Sequence, residues 1–319
     1  MDFHLQFPIV PFTEKINYRQ SCLFMGSCFA ENIGELMEKY KFDITINPNG
    51  IVYNPASIAN ALRKYIANYR VTESDLFYAN EVWNSWEHHS SFSVSHKGVA
   101  KEGMNCEYAE AHDLIQNIDW LFITFGSAYY YKRAKTGQIV ANCHKQPQKE
   151  FTKQLLSTEE IVSDYTALIT ELKAINPKLK IVFTVSPVRY IRDGVVENNR
   201  SKARLIESVH QLKETNTNLF YFPAYELVMD DLRDYRFFAE DLTHPNKSAI
   251  DYVFDKWMET LFDNETKTLF NRIKSIVTDY NHRPFHSETD AHKQFIALYQ
   301  ERAKQLQNEF PFLNLEEFL

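Results

Sequence analysis

The chain has 319 residues, of which 44% are apolar, which is enough for one large domain or two small ones and excludes a disordered chain. Only eight residues are glycine, well below the usual share of roughly 7%, so each glycine is expected where the backbone requires one. The net charge is -7 with both signs mixed along the chain, whereas nucleic-acid surfaces and membrane-surface helices need concentrated positive charge, so we expect neither partner.

The N-terminal residues Met1 to His4 lack the basic and apolar regions of a signal peptide. No stretch approaches the roughly 18 apolar residues that span a bilayer, and we therefore expect a cytoplasmic protein. The four cysteines have no spacing typical of a disulfide framework or a metal knuckle, so we expect them to be reduced: Cys22, Cys28, Cys106 and Cys143. We also expect no metal and no cofactor.

The first organised segment is a strand, Cys22 to Met25, that runs through Gly26-Ser27 into a helical pattern. Residues 69–104 are irregular and are expected to form short strands or loops. The capping box Ser157 to Glu160 predicts the start of a long helix. The other predicted strands are Phe42–Ile46, Trp120–Phe125, Ile181–Val185 and Leu219–Phe222, and the other helices are Pro55–Ile66, Tyr108–Ile118, Lys202–Leu212 and Asn246–Phe262.

Strands that alternate with helices favour right-handed crossovers and a parallel sheet covered on both faces. Ligands of such sheets bind outside the carboxyl ends of the strands. Residues 264–319 depart from the alternation and contain two helical patterns, Lys267–Asp279 and Ala291–Asn308. We therefore predict a main domain over residues 1–263 and a helical extension over 264–319, which packs on the main domain or pairs with a second subunit in a homo-oligomer.

Ser27 lies in the sharp turn between the first strand and its helix, where the helix N-terminus would stabilise an anion on the hydroxyl. The alternative is that Ser27 only caps the helix. Far along the chain, Asp241 and His244 are three residues apart in a polar turn. A nucleophilic serine needs an imidazole as base and a carboxylate that orients the imidazole, and this turn can supply both.

The sequence resembles the GSCFA family, a branch similar to the SGNH (GDSL-like) hydrolases, over roughly residues 20–262. The matching motifs are Gly26-Ser27-Cys28-Phe29-Ala30, Asn47-Pro48-Asn49-Gly50, Tyr53-Asn54-Pro55, His89-Ser90, Thr124-Phe125-Gly126, Thr184 to Arg189, Ser201-Lys202-Ala203, Tyr221 to Glu226 and Asp241 to Pro245. The resemblance implies a three-layer α/β/α sandwich with a flavodoxin-like parallel sheet.

The resemblance also implies the site. Ser27 would be the nucleophile, with Asp241 and His244 completing the triad, and the backbone N–H groups of Ser27 and Gly50 would form an oxyanion hole. SGNH enzymes add the side chain of an Asn as third donor, but the matching strand end here reads Gly126-Ser127-Ala128. Two replacements stand nearby: Ser127, which has little reach, and Asn142, which carries the missing amide and is preferred.

Four residues are expected at the substrate: Gly126, Ser127, His89 and Arg189. For His89 a structural hydrogen-bonding role is equally compatible, and Arg189, like Lys145, could bind an anionic group or form an ordinary surface salt bridge. Cys28 could be a thiol nucleophile, but its place in the first helical turn favours a small packed side chain. A zinc site built from His88, His89, Cys143 and His144 lacks the usual ligand spacing.

The sequence therefore predicts a serine esterase or O-acyltransferase. By analogy of fold, the substrate class would be small-molecule or carbohydrate esters that carry an O-acyl group. The alternative is a ligand-binding or regulatory domain that retains the pocket but has weak or no catalysis, because the third oxyanion donor is missing.

Overall fold

The computed structural model describes residue 5, residues 7–216 and residues 218–319, so the Met1 to His4 segment considered for a signal peptide lies outside the described residues. The elements are, in chain order, β1 (Ser21–Gly26), α1 (Cys28–Lys39), β2 (Asp43–Ile46), α2 (Pro55–Ile66), β3 (Leu76–Ala79), β4 (Val82–Ser85), α3 (Lys97–Ile115), β5 (Trp120–Phe125), β6 (Tyr129–Arg133), β7 (Ile139–Val140), β8 (Phe151–Leu155), α4 (Thr158–Ile175), β9 (Lys180–Val185), α5 (Val195–Glu214), β10 (Leu219–Tyr221), α6 (Ala224–Glu226), α7 (Lys247–Leu261), α8 (Asn264–Tyr280) and α9 (Asp290–Glu309).

The central sheet has five parallel strands in the order β10-β9-β5-β1-β2. The chain builds outward from β1 in both directions, which is the flavodoxin-like order, and the direction of winding reverses between β1 and β5. The predicted fold class is confirmed. At this reversal the crossovers leave the sheet on opposite faces, which opens a crevice outside the carboxyl ends of β1 and β5.

Both faces of the sheet are buried, because successive strand residues point to opposite sides. Leu23 and Met25 face the core that α2, α3, α4 and α5 cover. Cys22 and Phe24 face the second core, which α1, α7, α8 and α9 cover. The result is a three-layer sandwich whose rigid centre holds the strand ends in fixed positions.

The C-terminal helices pack on the main domain, which is one of the two alternatives that the sequence left open. The ring of Phe270 in α8 lies 4.7 Å from that of Tyr40, at the end of α1. The hydroxyl of Thr266 donates to the carbonyl oxygen of Ile16 at 3.1 Å. Among the described helices none is long and apolar enough to cross a membrane.

Three parts of the chain differ from the sequence-based prediction, and the first is helix α5, which begins at Val195 rather than at Lys202. Helix α3 begins at Lys97 rather than near Tyr108; Gly98 and Gly103 weaken its local helical signal, and burial of residues such as Met104 stabilises it instead. Strands β6, β7 and β8 form an antiparallel sheet that was not predicted, because its short, half-buried strands resemble an irregular loop in the sequence.

Candidate active site

The turn between β1 and α1 requires the glycine that precedes Ser27. Gly26 has a φ of 136°, and a β-carbon there would lie 2.2 Å from the carbonyl oxygen of Thr124 on the neighbouring strand β5. Its N–H donates to Oδ1 of Asn47 at 2.8 Å. Ser27 follows as the N-cap of α1, and its Oγ accepts a hydrogen bond from the N–H of Phe29 at 3.3 Å. The capping role is therefore present, and it leaves the hydroxyl hydrogen free to be donated.

Asp241 and His244 form a directly hydrogen-bonded pair. Oδ2 of Asp241 lies 2.6 Å from Nδ1 of His244, while Oδ1 accepts from the backbone N–H groups of Thr243 at 2.9 Å and His244 at 3.0 Å. These backbone donors, followed by the imidazole, hold the pKa of the Asp241 carboxyl well below its usual range. A carboxylate facing Nδ1 keeps the proton on that nitrogen and leaves Nε2 as an acceptor.

The turn that carries this pair lies at the carboxyl edge of the sheet. Helix α7, which follows the turn, runs away from that edge, since the residues at its end hydrogen-bond to the segment that precedes β1. The turn also contacts the loop after β9, where the N–H of Arg189 donates to the carbonyl oxygen of Thr243 at 3.1 Å. Ser27 and the pair therefore share one edge, although no hydrogen bond joins Ser27 to His244 within the described residues.

The Arg189 guanidinium packs against two aromatic rings. Its guanidinium carbon lies 4.5 Å from the ring centroid of Phe238 and 5.4 Å from that of Tyr235. Both aromatic residues belong to the segment just before the Asp241 turn. Together with the backbone bond to Thr243, this packing places Arg189 against the Asp241 turn, and its expected contact with a substrate stays a prediction.

The two backbone N–H groups expected in the oxyanion hole are both hydrogen-bonded within the protein. The N–H of Ser27 donates to the carbonyl oxygen of Thr124 at 3.3 Å, and that of Gly50 donates to the carbonyl oxygen of Asn47 at 2.6 Å. Gly50 has a φ of 73°, and a β-carbon there would lie 2.4 Å from Cβ of His89. His89 thus packs directly on Gly50, and its position beside the site is set by the absence of a side chain at residue 50.

The two candidates for the third oxyanion donor have different surroundings. Ser127 is buried, and its Oγ lies 3.2 Å from Oγ of Ser201 in α5. Asn142 donates from its amide to Oγ of Ser90 at 3.2 Å and accepts from the N–H of His144 at 2.8 Å. Ser127 thus faces the helix layer, whereas the Asn142 amide lies in a loop network beside His89 and retains a second N–H.

Gly126 lets the loop after β2 approach Ser27. A β-carbon on Gly126 would lie 2.9 Å from Cβ of Tyr53 and 3.5 Å from Cβ of Ser27. The N–H of Gly126 donates to the carbonyl oxygen of Tyr53 at 2.7 Å. Gly126 therefore does not bind a ligand through a side chain, but it brings Tyr53 next to Ser27.

Lys202 is a residue of the site region that the sequence did not single out as functional. It is fully buried in α5, and its Nζ donates to the carbonyl oxygens of Gly126 at 2.7 Å and Ser186 at 2.6 Å. Burial lowers the pKa of this amine to about 7. The match of Ser201-Lys202-Ala203 to the family motif was the signal that could have identified it. It was missed because a lysine in a helix with many charged residues is usually exposed to solvent.

Cys28 and the cysteine–histidine cluster were the other candidates for a reactive or metal-binding site. Cys28 is the first residue of α1, and burial raises the pKa of its thiol, which disfavours the nucleophilic thiolate. His144 is buried, with Nε2 lying 2.7 Å from the carbonyl oxygen of Ser85. Within the described ranges, no group of three or more His, Cys, Asp or Glu residues could hold a metal ion.

The family model described as "GSCFA family" matches residues 21–257, and the model "GSCFA domain protein, C-terminal domain" matches residues 273–319. No curated protein matches the chain. Similar solved structures include a carbohydrate esterase family 3 protein from Talaromyces cellulolyticus, with 12% identity, a TM-score of 0.27 and coverage of 50% of this chain and 62% of that chain. Another is the acetyl xylan esterase Est2A from Butyrivibrio proteoclasticus, with 13% identity, a TM-score of 0.35 and coverage of 80% and 65%. The chain thus spans less than two thirds of either neighbour.

Proposed function

The chain belongs to the GSCFA family, and from this premise and the geometry of the carboxyl edge we propose that it is a serine hydrolase or acyltransferase acting on O-acyl esters. The observation that carries the proposal is the Asp241–His244 pair, whose 2.6 Å contact leaves Nε2 of His244 as an acceptor at the edge where Ser27 lies. A serine, an imidazole and a carboxylate at one edge are the groups that acyl transfer through an acyl-enzyme requires.

In the proposed mechanism, Nε2 of His244 accepts the proton of the Ser27 hydroxyl while Oγ attacks the ester carbonyl carbon. The Asp241 carboxylate stabilises the resulting imidazolium. The imidazolium then returns the proton to the leaving alkoxide, the ester C–O bond breaks, and an alcohol departs from acyl-Ser27. Water or an acceptor hydroxyl attacks the acyl-enzyme with His244 again as base, which releases an acid or a new ester and restores the serine.

This mechanism requires the imidazole to approach Ser27 when a substrate binds, since catalytic hydrogen bonds are often long or absent before binding. It also requires oxyanion donors. The N–H of Ser27 is held at a long 3.3 Å by Thr124, so it can be shared with an oxyanion, and Asn142 retains a free amide hydrogen. Removal of one such donor costs about 3–4 kcal/mol of transition-state stabilisation, so Asn142→Ala is the variant that tests the third donor.

A second function has one specific observation in its favour. The N–H of Gly50 is committed to Asn47 at 2.6 Å, and the N–H of Ser27 also has an internal acceptor. A site whose donors are already satisfied stabilises an oxyanion poorly. This favours a ligand-binding domain with weak or no catalysis as the alternative function.

Covalent labelling separates the two functions. We expect a fluorophosphonate to give a single adduct on Ser27, found by intact mass and peptide mapping, and to give none in Ser27→Ala or His244→Ala. Ser287→Ala, which removes an exposed serine from the turn between α8 and α9, is the control and should retain labelling. A folded native protein that acquires no adduct would rule out the hydrolase and leave the binding domain. A panel of p-nitrophenyl esters and acetylated sugars then distinguishes hydrolysis, which releases the acid, from transfer, which forms a new ester.

A further inference from the structure

A cavity of about 650 Å³ adjoins the proposed active site. Its walls come from the loop after β2, the segment after β4, strand β6, the loop between β7 and β8 with the first residue of β8, and the loop after β9. Residues that line it include Tyr53, Tyr131, Asn142, Lys145, Tyr190 and Arg192. The volume is within the range of small-molecule binding sites.

The cavity meets the active site at two points. Tyr53, which lines it, lies against Gly126 on the side where Ser27 also approaches that glycine. His89, which also lines it, packs on Gly50. A ligand held in the cavity would therefore extend from Gly126, which lies beside Ser27, towards His89 and Gly50, and this is where the body of an ester would lie when its carbonyl reaches the serine.

The interior of the cavity is rich in hydroxyl groups. The hydroxyl oxygens of Tyr131 and Tyr190 lie 3.5 Å apart, and the ring centroids of Tyr53 and Tyr190 are 6.3 Å apart. Burial raises the pKa of Tyr53 and of Tyr190 to about 12, so these hydroxyls stay protonated at neutral pH. Phenolic rings with protonated hydroxyls offer both apolar faces and hydrogen bonds, which suits a ligand that itself carries hydroxyl groups.

The charge of the lining is positive, although the chain as a whole has a net charge of -7. Arg192 and Lys145 both line the cavity, and none of its described lining residues is Asp or Glu. Arg192 lies beside the hydroxyls of Tyr190 and Tyr131. Lys145 has no ion-pair partner among the described residues.

Two carboxylates stand near the cavity, and each interacts with another side chain. Asp193 forms an ion pair with Lys153. Glu31 interacts with His89. Neither carboxylate forms a salt bridge with Arg192 or Lys145 among the described residues, although the charge of Asp193 also acts on Arg192. Because the lining itself carries two cations and no carboxylate, it favours a ligand that supplies negative charge.

The loop that carries Lys145 is held in a fixed shape. His144 and Lys145 are consecutive non-glycine residues in the left-handed region, with φ of 47° and 56°. The buried His144 ring anchors this conformation through Ser85 and Ser90. These contacts therefore stabilise the strained backbone of the loop. Because the loop is already ordered, Lys145 lies at the cavity without an entropy cost when a ligand binds.

We propose that this cavity binds the body of an anionic, hydroxylated ester, such as an O-acylated sugar that carries a carboxylate or a phosphate, with Arg192 and Lys145 contacting the anionic group. The inference rests on the proposed function for the place of the reacting carbonyl. It adds the substrate class, which is an ester whose sugar part, rather than its acyl group, carries the negative charge.

Turnover of matched esters tests the charge preference. We expect the native enzyme to hydrolyse O-acetylated glucuronate or O-acetylated glucose 6-phosphate with higher kcat/KM than O-acetylated glucose. Arg192→Gln should lower kcat/KM for the preferred anionic ester by about tenfold, as loss of a charge-assisted hydrogen bond does, and leave the neutral ester within about twofold. Comparing the two anionic esters distinguishes a carboxylate from a phosphate. Lys145→Gln should act in the same direction.

Arg283→Gln is the matched control, because it removes the same charge from the exposed turn between α8 and α9. It should change none of the three rates. Equal kcat/KM for anionic and neutral esters in the native enzyme, or equal losses for all esters in Arg192→Gln, would overturn the inference.

Binding without turnover keeps this test separate from the proposed function. In Ser27→Ala, ligand-observed NMR should show glucuronate or glucose 6-phosphate binding more tightly than glucose, and Arg192→Gln in that background should remove the difference. If native protein shows no turnover and no Ser27 adduct, the hydrolase proposal fails while this binding measurement still decides the cavity's preference. Equal binding of all three sugars in Ser27→Ala would refute the charge preference itself.

Discussion

The ε-amino group of Lys202 donates a hydrogen bond to the carbonyl oxygen of Gly126 at 2.7 Å. The same nitrogen donates to the carbonyl oxygen of Ser186 at 2.6 Å. One buried side chain in α5 therefore ties together the carboxyl ends of β5 and β9, between Ser27 on one side and the loop that holds the Asp241 turn on the other. A neutral amine has two N–H groups, and both are used here.

Lys202→Met is expected to destabilise the protein, because it leaves two buried carbonyl oxygens without a donor at a cost of about 1–3 kcal/mol each. Urea unfolding followed by circular dichroism measures the loss of free energy. Lys213→Met on the exposed side of the same helix should change stability by less than about 0.5 kcal/mol. If both variants unfold at the same urea concentration, Lys202 does not hold the two strand ends together.

The free energy of unfolding should depend on pH because of Lys202. Its pKa in the folded protein is about 7, against an ordinary lysine value of 10.5, so above pH 7 the unfolded chain binds a proton that the native state has released. The free energy of unfolding should therefore rise with pH from 7 towards 9, by at most about 1.4 kcal/mol per unit. Below pH 7 the amine is protonated in both the folded and the unfolded state, so it does not change the free energy of unfolding with pH.

The measurement is urea unfolding of the native protein and of Lys202→Met at several pH values between 6 and 9. The difference in unfolding free energy between the two proteins should grow with pH above 7 and stay constant below it. A difference that is independent of pH over the whole range would show that Lys202 keeps its ordinary pKa.

The glycines divide into those that the site requires and those that it does not. Gly26→Ala places a methyl group 2.2 Å from the Thr124 carbonyl oxygen at a φ of 136°, and we expect a loss of more than about 3 kcal/mol. Gly103→Ala in α3 meets no atom within 4 Å and should stabilise the protein by about 0.5–1 kcal/mol. Thermal unfolding of both variants provides the comparison, and a Gly26→Ala protein as stable as the native one would contradict the described turn.

Asp241→Asn should lower kcat by roughly two to four orders of magnitude with little change in KM, since the amide no longer stabilises the imidazolium or fixes its tautomer. The variant should remain folded because the turn is exposed. Asp251→Asn, which breaks a surface ion pair with Lys247, is the control and should retain full activity. An Asp241→Asn enzyme with native kcat would remove the carboxylate from the mechanism.

Local signals predicted most of the fold. The capping box at Ser157 and the proline-initiated helix Pro55–Ile66 were located from adjacent residues, and both are confirmed. Strand Trp120–Phe125 is also confirmed, because a continuous apolar run between polar turns is typical of a strand buried on both faces. The start of α3 was wrong because packing against the sheet, rather than helix propensity, decides where that helix begins.

The sequence by itself determined the parallel α/β architecture, the glycines at the strand ends and the order of Ser27, Asp241 and His244, because each depends on periodicity, backbone freedom or short spacing. Tertiary structure alone decided the bonds of Lys202, which is 76 residues from Gly126, and the cavity between Tyr53 and Arg192. Contacts between residues so far apart arise only when the strands pair and the loops at their carboxyl ends converge. Their partners leave no local pattern, so a buried lysine and a surface lysine look the same in the sequence.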